Sequence, residues 1–451
     1  MSISQILAII IFAIMFAVIT SGKVHRYIAA LVGAALMILV VFLGVMHSPH
    51  AFWEVMNLAQ IGQAQFWVPG AHPIESQGVN WQTIIFIGGM MVMVGGLESA
   101  GFFRFLCLWT ARLVGCRVIP ILISFMLLSG FLSMFIDSIT VLLFLSMVVI
   151  ELARLLKFDP VPMIVAVIFA ANTGGSATMS GDPPNIIIGT AFGYTFTDFA
   201  INTGPIAWAG MLVAIVYFYF IYRKVLKQKT DPAEMMNVCP YPKTAITNPT
   251  TFKLAIAVFV IVVILLITHA QTGLSVALIG VIAAVLSLMV AGKAAMKIIK
   301  HVDWKTLLFF LGLFICVGGL EVTGVLEEVA RLIGDVSRGD ISIALAFILW
   351  ISAIFSAFVD NIPFAATMVP ILRDLSVQGG MSLPVLAWTL ALGTDIGGNA
   401  TPIGASANVV GTSVAEKEGY PISWGRFLKY AALPMIIVVG LCNGLLLWRY
   451  A

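Results

Sequence analysis

What this chain has little of is charge. Asp, Glu, Lys and Arg make up 10% of its 451 residues, against 61% hydrophobic. A soluble domain of that composition would carry more apolar surface than its polar side chains can cover, which excludes a soluble globular fold. Cysteine is scarce as well. Cys107, Cys116, Cys239, Cys316 and Cys442 are scattered, odd in number and without ligand spacing. That pattern argues against a disulfide framework or a zinc centre and leaves them as small apolar fillers. The first apolar run, Ile3 to Ser21, lacks a basic stretch ahead of it and a small-residue cleavage site, so it reads as a span and not a secretory signal. The loop from His47 to Asn80 has no Lys or Arg, and its histidines His47, His50 and His72 read as those of a solvated loop, not a metal site.

What the chain does have is apolar runs of about 18 residues or more, repeated along its length, the pattern of transmembrane helices. The fold class is an all-α polytopic membrane protein. It is also a duplication. "WQTIIFIGGMMVMVGGLESAG" from Trp81 and "WKTLLFFLGLFICVGGLEVTG" from Trp304 agree at ten of 21 positions, 223 residues apart. The same offset carries "SMFIDSIT" onto "SAFVDNIP", aligning Asp137 with Asp360, and carries "NTGGSATMSGDPPNIIIGT" onto "DIGGNATPIGASANVVGTS". Three blocks in one register define two repeats, 1–222 and 251–451, joined by a polar linker, 223–250.

Each repeat reads as five spans plus a hairpin. The stretches 118–156 and 341–375 are too long for one crossing and are polar at the centre, so they read as re-entrant hairpins with Asp137-Ser138 and Asp360-Asn361 at their tips. The spans 162–190 and 384–413 are broken by Gly, Pro and oxygen-bearing residues. Five crossings per repeat make the second run upside down relative to the first, an inverted repeat. Charge placement agrees. With both termini outside, only Arg331, Arg338, Arg373 and Arg449 of the 24 Lys and Arg residues fall on the outer side, which puts the linker in the cytoplasm of a cell inner or plasma membrane.

A helix broken in mid-membrane leaves carbonyls on one half and amides on the other without partners, and these attract ions. At the breaks Gly174, Gly175, Gly397 and Gly398 are expected to let the backbone turn and a ligand approach, and Asn172, Ser176, Thr178, Asn399 and Thr401 to supply neutral oxygens. Asp137, Ser138, Thr140, Asp360 and Asn361 belong to the tips and Asp395 opens the second break. A carboxylate at the bilayer centre costs on the order of 3 kcal/mol, so these acids are expected to hold a cation or a proton, with Asp137 and Asp360 flanking one cavity between the repeats. Asp182 and Pro183 read as a helix restart, N-cap and first helical position, and Asn185 and Asn408 as structural positions just beyond it. No catalytic residue or metal centre is expected.

"SATMSGDPPNIIIG" with "GGNATPIGASANVV", and "FIDSIT" with "FVDNIP", resemble the ion transporter superfamily that includes ArsB, NhaD and the pink-eyed dilution (P) protein. More distantly the chain is similar to sodium-coupled dicarboxylate transporters. The resemblance implies a transporter and not an enzyme, working by an elevator motion, a homodimer, and for an ArsB-like permease a soluble ATPase partner. It implies no cofactor, with H+ or Na+ as coupling ion, and as partners the lipid bilayer and a small inorganic solute or ion, not nucleic acid. The tip acids replace the Ser-Asn-Thr motifs of the dicarboxylate branch and would repel an anion. The expected activity is therefore proton-coupled efflux of arsenite and antimonite, with Na+/H+ antiport or sodium-coupled dicarboxylate symport as alternatives. A channel or an intramembrane aspartyl protease fits less well, since the Gly-x-Gly-Asp arrangement of the latter is absent.

Overall fold

A computed structural model describes residues 1–69, 78–223, 226, 239–337 and 339–451. His72 and half of the linker lie outside the described residues. Among the described residues every regular element is helical, and ten helices are long and apolar enough to cross a membrane.

The first repeat runs α1 (Ile3–Ser21), α2 (Arg26–Val45), α3 (Trp81–Ser99), α4 (Phe102–Leu113), α5 (Val118–Leu132), α6 (Ser138–Leu156), α7 (Pro160–Gly175), α8 (Pro183–Phe192), α9 (Phe196–Asn202) and α10 (Gly204–Tyr222). The second runs α11 (Pro249–Thr272), α12 (Val276–Ala291), α13 (Trp304–Val322), α14 (Val325–Ser337), α15 (Ile341–Phe358), α16 (Asn361–Gly379), α17 (Leu383–Gly397), α18 (Ser406–Lys417) and α19 (Trp424–Tyr450). Local chemistry sets the ends. Ser2 and Gln5 form a capping box at α1, Asn248 caps α11 ahead of Pro249, and Gly22 and Gly273 close α1 and α11 in the left-handed conformation.

The helices pack as two bundles. A frame is made of α1, α2, α3, α11, α12 and α13. A core bundle is made of α5 to α8, α10 and α15 to α19, with both hairpins and both interrupted spans inside it. The repeats interlock in the frame, where α2 packs on α13 and α3 on α12, two contacts related by the duplication. Backbones touch there. A Cβ on Gly89 would sit 2.1 Å from the Gly280 carbonyl oxygen, and one on Gly312 would sit 2.6 Å from the Ala30 carbonyl carbon. Small residues at such crossings are what membrane helices use in place of a hydrophobic drive. Helices α4 and α14 touch both bundles and connect them.

The cysteines divide. Cys107, Cys316 and Cys442 are buried and free, but Cys116 and Cys239 form a disulfide with Cα atoms 6.5 Å apart, which corrects the reading of all five as fillers. The reason is that the end of the linker folds back on α4. Arg112 donates to the Cys239 carbonyl at 2.9 Å and stacks its guanidinium on Tyr241, bringing together two thiols separated by 123 residues.

Candidate functional site

Both interrupted spans stay helical through the glycine pair, α7 to Gly175 and α17 to Gly397, and helix resumes at Pro183 and Ser406. The glycines do not turn the chain: none of Gly174, Gly175, Gly397 and Gly398 has a positive φ. Gly174 and Gly397 instead admit a neighbour. A Cβ on Gly174 would lie 2.3 Å from the Gly130 carbonyl oxygen, and one on Gly397 2.2 Å from Cα of Ala353. Each interrupted span therefore rests backbone to backbone on the first helix of its own hairpin, α5 or α15.

Side chains then hold the unwound segments in shape. Asn185 donates both amide hydrogens to the Gly175 and Thr178 carbonyls at 3.1 and 3.0 Å. Asn408 does the same to Gly398 and Thr401, both at 2.7 Å. These are the carbonyls that a helix end leaves without partners. Ser176 donates to the Thr173 carbonyl at 2.7 Å. Thr178 donates to the Met134 carbonyl at 2.5 Å and Thr401 to the matching Ala357 carbonyl, which ties each break to the tip end of its hairpin.

Where the breaks meet, polar groups of both repeats converge. Asn172 donates to Oδ1 of Asn399 at 3.0 Å and of Asn408 at 2.8 Å. Asp182 accepts from Ser138 Oγ at 2.5 Å and from Asn361 Nδ2 at 2.8 Å, the same amide that reaches Asp395. Asn361 also reaches Asp395 Oδ1, at 3.5 Å. Asp182 is 3% exposed and Asp395 is fully buried. Asp395 Oδ2, Asn185 Oδ1 and Asn172 Oδ1 are buried without a hydrogen-bond partner.

Asp182 is thus more than a restart signal. It stands at the N-cap position of α8, but its side chain makes no capping hydrogen bond. Pro183 and Pro184 have no amide hydrogen to offer, so the carboxylate turns into the core. The sequence held that clue in "DPP".

The tip acids have different surroundings. Asp137 caps α6 through Oδ2, which accepts from the Thr140 amide at 3.3 Å, and its Oδ1 has no partner. With Thr140, Ser180 and Thr306 it lines a cavity of about 30 Å³ whose other walls include Phe86, Met90 and Phe310. That is space for about one water molecule. Asp360 caps α16 through the Ile362 amide at 3.3 Å and is held by Arg26 at 2.8 Å. Arg26 also donates to Ser406 Oγ and, at 2.9 Å, to Thr306 Oγ1, and Ser406 in turn donates to Asp360 Oδ2 at 2.8 Å. Sequence reasoning did not single out Arg26, Thr306 or Ser406, because an Arg at the mouth of a span is what interface charge placement gives anyway.

Residues 10–393 match the sequence profile of the family described as citrate transporter. The chain belongs to that family. Among its relatives, an uncharacterized transporter of Mycobacterium tuberculosis is 32% identical over 448 residues and a 46 kDa membrane protein of Mycobacterium leprae 31% over 450, each alignment covering 99% of both chains. The P protein of Sus scrofa is 29% identical over 92% of this chain and 58% of its own length. A solved YdaH transporter of Alcanivorax borkumensis shares the fold, with a TM-score of 0.55 at 12% identity over 99% of this chain and 98% of the other. This citrate transporter family member is therefore a multi-pass membrane transporter, and its family is one of transporters, not enzymes.

Its central chemistry follows from the acid pair. Two carboxyls buried side by side are a place where a shared proton or a small cation can be held. None of the ion pairs among the described residues involves Asp182 or Asp395.

Proposed function

We propose that this protein is a secondary transporter that moves a small solute by alternating access and couples it to a proton or sodium ion bound between Asp182 and Asp395. The observation that carries this reading is the burial of those two carboxyls on either side of the Asn361 amide, with Asp395 Oδ2 and Asn185 Oδ1 left unpartnered. Such a site needs a positive charge that no protein side chain provides, and exchange of that charge across the membrane is coupling. The breaks come from both repeats, so a movement of the core bundle against the frame carries the pair with it as a unit.

The solute that suits two acids is uncharged or cationic. We favour arsenous acid, As(OH)3, expelled in exchange for protons, with Na+/H+ antiport as the same chemistry using sodium as cargo. A second reading, transport of a carboxylate such as citrate, is favoured by the family match. It requires the acids to be neutralised by bound cations before the anion arrives, which is symport.

The test is flux in proteoliposomes with an imposed pH gradient, comparing arsenite, sodium and citrate. Proton-driven movement of arsenite or sodium that is lost in Asp395→Asn supports the proposal. Citrate movement alone, unchanged in Asp182→Asn and Asp395→Asn, contradicts it.

A further inference from the structure

Among the described residues, two ion pairs cross the seam between frame and core bundle, and both fall on hairpin helix α16. Arg26 of the frame holds Asp360 at 2.8 Å at the start of α16, and Glu321 at the end of α13 meets Arg373 at 3.5 Å near its other end. The hairpin of the first repeat has neither. The duplication places Ile150 where α16 has Arg373, and the mate of Asp360 is Asp137, which keeps a buried oxygen without a partner. The two hairpins are equivalent in sequence and unequal in this conformation.

Arg26 sits where it can serve both. Its Nη2 donates at 2.9 Å to Thr306 Oγ1, and Thr306 is a wall of the small cavity onto which Asp137 opens. The guanidinium stacks on Phe309 of the same frame helix, 5.0 Å from the ring centroid, which anchors the charge to the frame. In an inverted-repeat transporter the second conformation exchanges the roles of the two halves. Exchanging them here releases Asp360 and calls for a cation at Asp137.

We propose that Arg26 is a shared counter-charge for the two hairpin tips, paired with Asp360 in this conformation and with Asp137 in the alternate one. A charge that is handed over is never left without a partner. The handover lowers the barrier between states and makes the tips mutually exclusive: one hairpin is latched while the other is free. This rests on alternating access of core bundle against frame and not on the identity of the solute or coupling ion, so it stands or falls by a measurement that needs neither.

That measurement is oxidative cross-linking of Glu321→Cys/Arg373→Cys in the full chain in membranes, at a time point short of completion. The engineered pair reports this conformation through the far end of α16. Asp360→Asn is expected to slow cross-linking several-fold by releasing the latch. Asp137→Asn is expected to speed it by removing the alternate partner. In an Arg26→Gln background both effects vanish, whereas Arg26→Lys keeps them with opposite signs. Size-exclusion profiles and melting curves establish that each variant is folded. Shifts of the same sign from the two aspartate variants overturn the proposal, as do shifts that persist in Arg26→Gln. If Arg26→Gln fails to fold, the signs in the Arg26 and Arg26→Lys backgrounds decide it alone.

Discussion

Asn172 passes an amide hydrogen to Oδ1 of Asn408 at 2.8 Å. The duplication maps these two residues onto Asp395 and Asn185, whose Oδ2 and Oδ1 are both buried without a partner. Both pairs join one repeat to the other. The first is closed by a hydrogen of Asn172, whereas an ionised Asp395 has no hydrogen to offer the second.

Asp395→Asn supplies the missing N–H. It is expected to raise the melting temperature of the purified protein, corresponding to about 1–2 kcal/mol, because it removes a buried acid and gives Asn185 a donor. The same variant loses ion-coupled transport. Asp182→Asn is expected to do the opposite to stability, since Ser138 and Asn361 both donate to that carboxylate and one amide oxygen replaces two. Equal melting shifts for the two variants would contradict the assignment.

The asparagine clasps carry a separate expectation. Asn185→Ala and Asn408→Ala each expose two buried carbonyls, at about 1–3 kcal/mol for each unsatisfied group. Asn408→Ala is the more damaging, because Oδ1 of Asn408 also accepts from Asn172. Thermal melting of the two variants in one detergent gives the order.

The frame crossings are sensitive to single methyl groups. Gly89→Ala places a Cβ 2.1 Å from the Gly280 carbonyl oxygen, and backbone on both sides leaves nothing to yield. Folded yield by size exclusion is expected to fall sharply for Gly89→Ala and Gly312→Ala. Gly440→Ala and Gly444→Ala, whose Cβ atoms would meet nothing within 4 Å, are expected to behave as the parent.

The linker is stapled by Cys116 and Cys239. Peptide mapping by mass spectrometry without reductant is expected to recover the two cysteines in one linked species, converted to separate peptides by dithiothreitol. Cys107, Cys316 and Cys442 remain free thiols that react only after unfolding, because all three are buried.

Much of this architecture was legible in the residues. The offset of 223 between Trp81 and Trp304 exposed the duplication, and Asp, Gly and Pro inside apolar runs marked the hairpins and breaks, because lipid tolerates those residues only where protein surrounds them. The connecting helices α4 and α14 were not legible. They are short, and α4 sets exposed Arg104 against buried Phe103, Cys107 and Leu108, a pattern diluted among the far longer apolar runs on either side. The packing at the glycines and the further partners of Asp182 were not legible for a common reason: what Gly174 and Gly397 touch is another helix, and what Asp182 accepts comes from Ser138 and Asn361, far along the chain. Tertiary partners of that kind leave no local signature. The pairing of Cys116 with Cys239 was hidden in the same way.

The central claim is that Asp182 and Asp395 share one exchangeable positive charge. Infrared difference spectroscopy of the purified protein, between low pH and high pH with sodium, reads it directly through the carbonyl stretch of a protonated carboxyl. The account predicts one protonated-carboxyl band that disappears on exchange and is absent in Asp395→Asn. A spectrum with no such band, or one unchanged by that substitution, would contradict it.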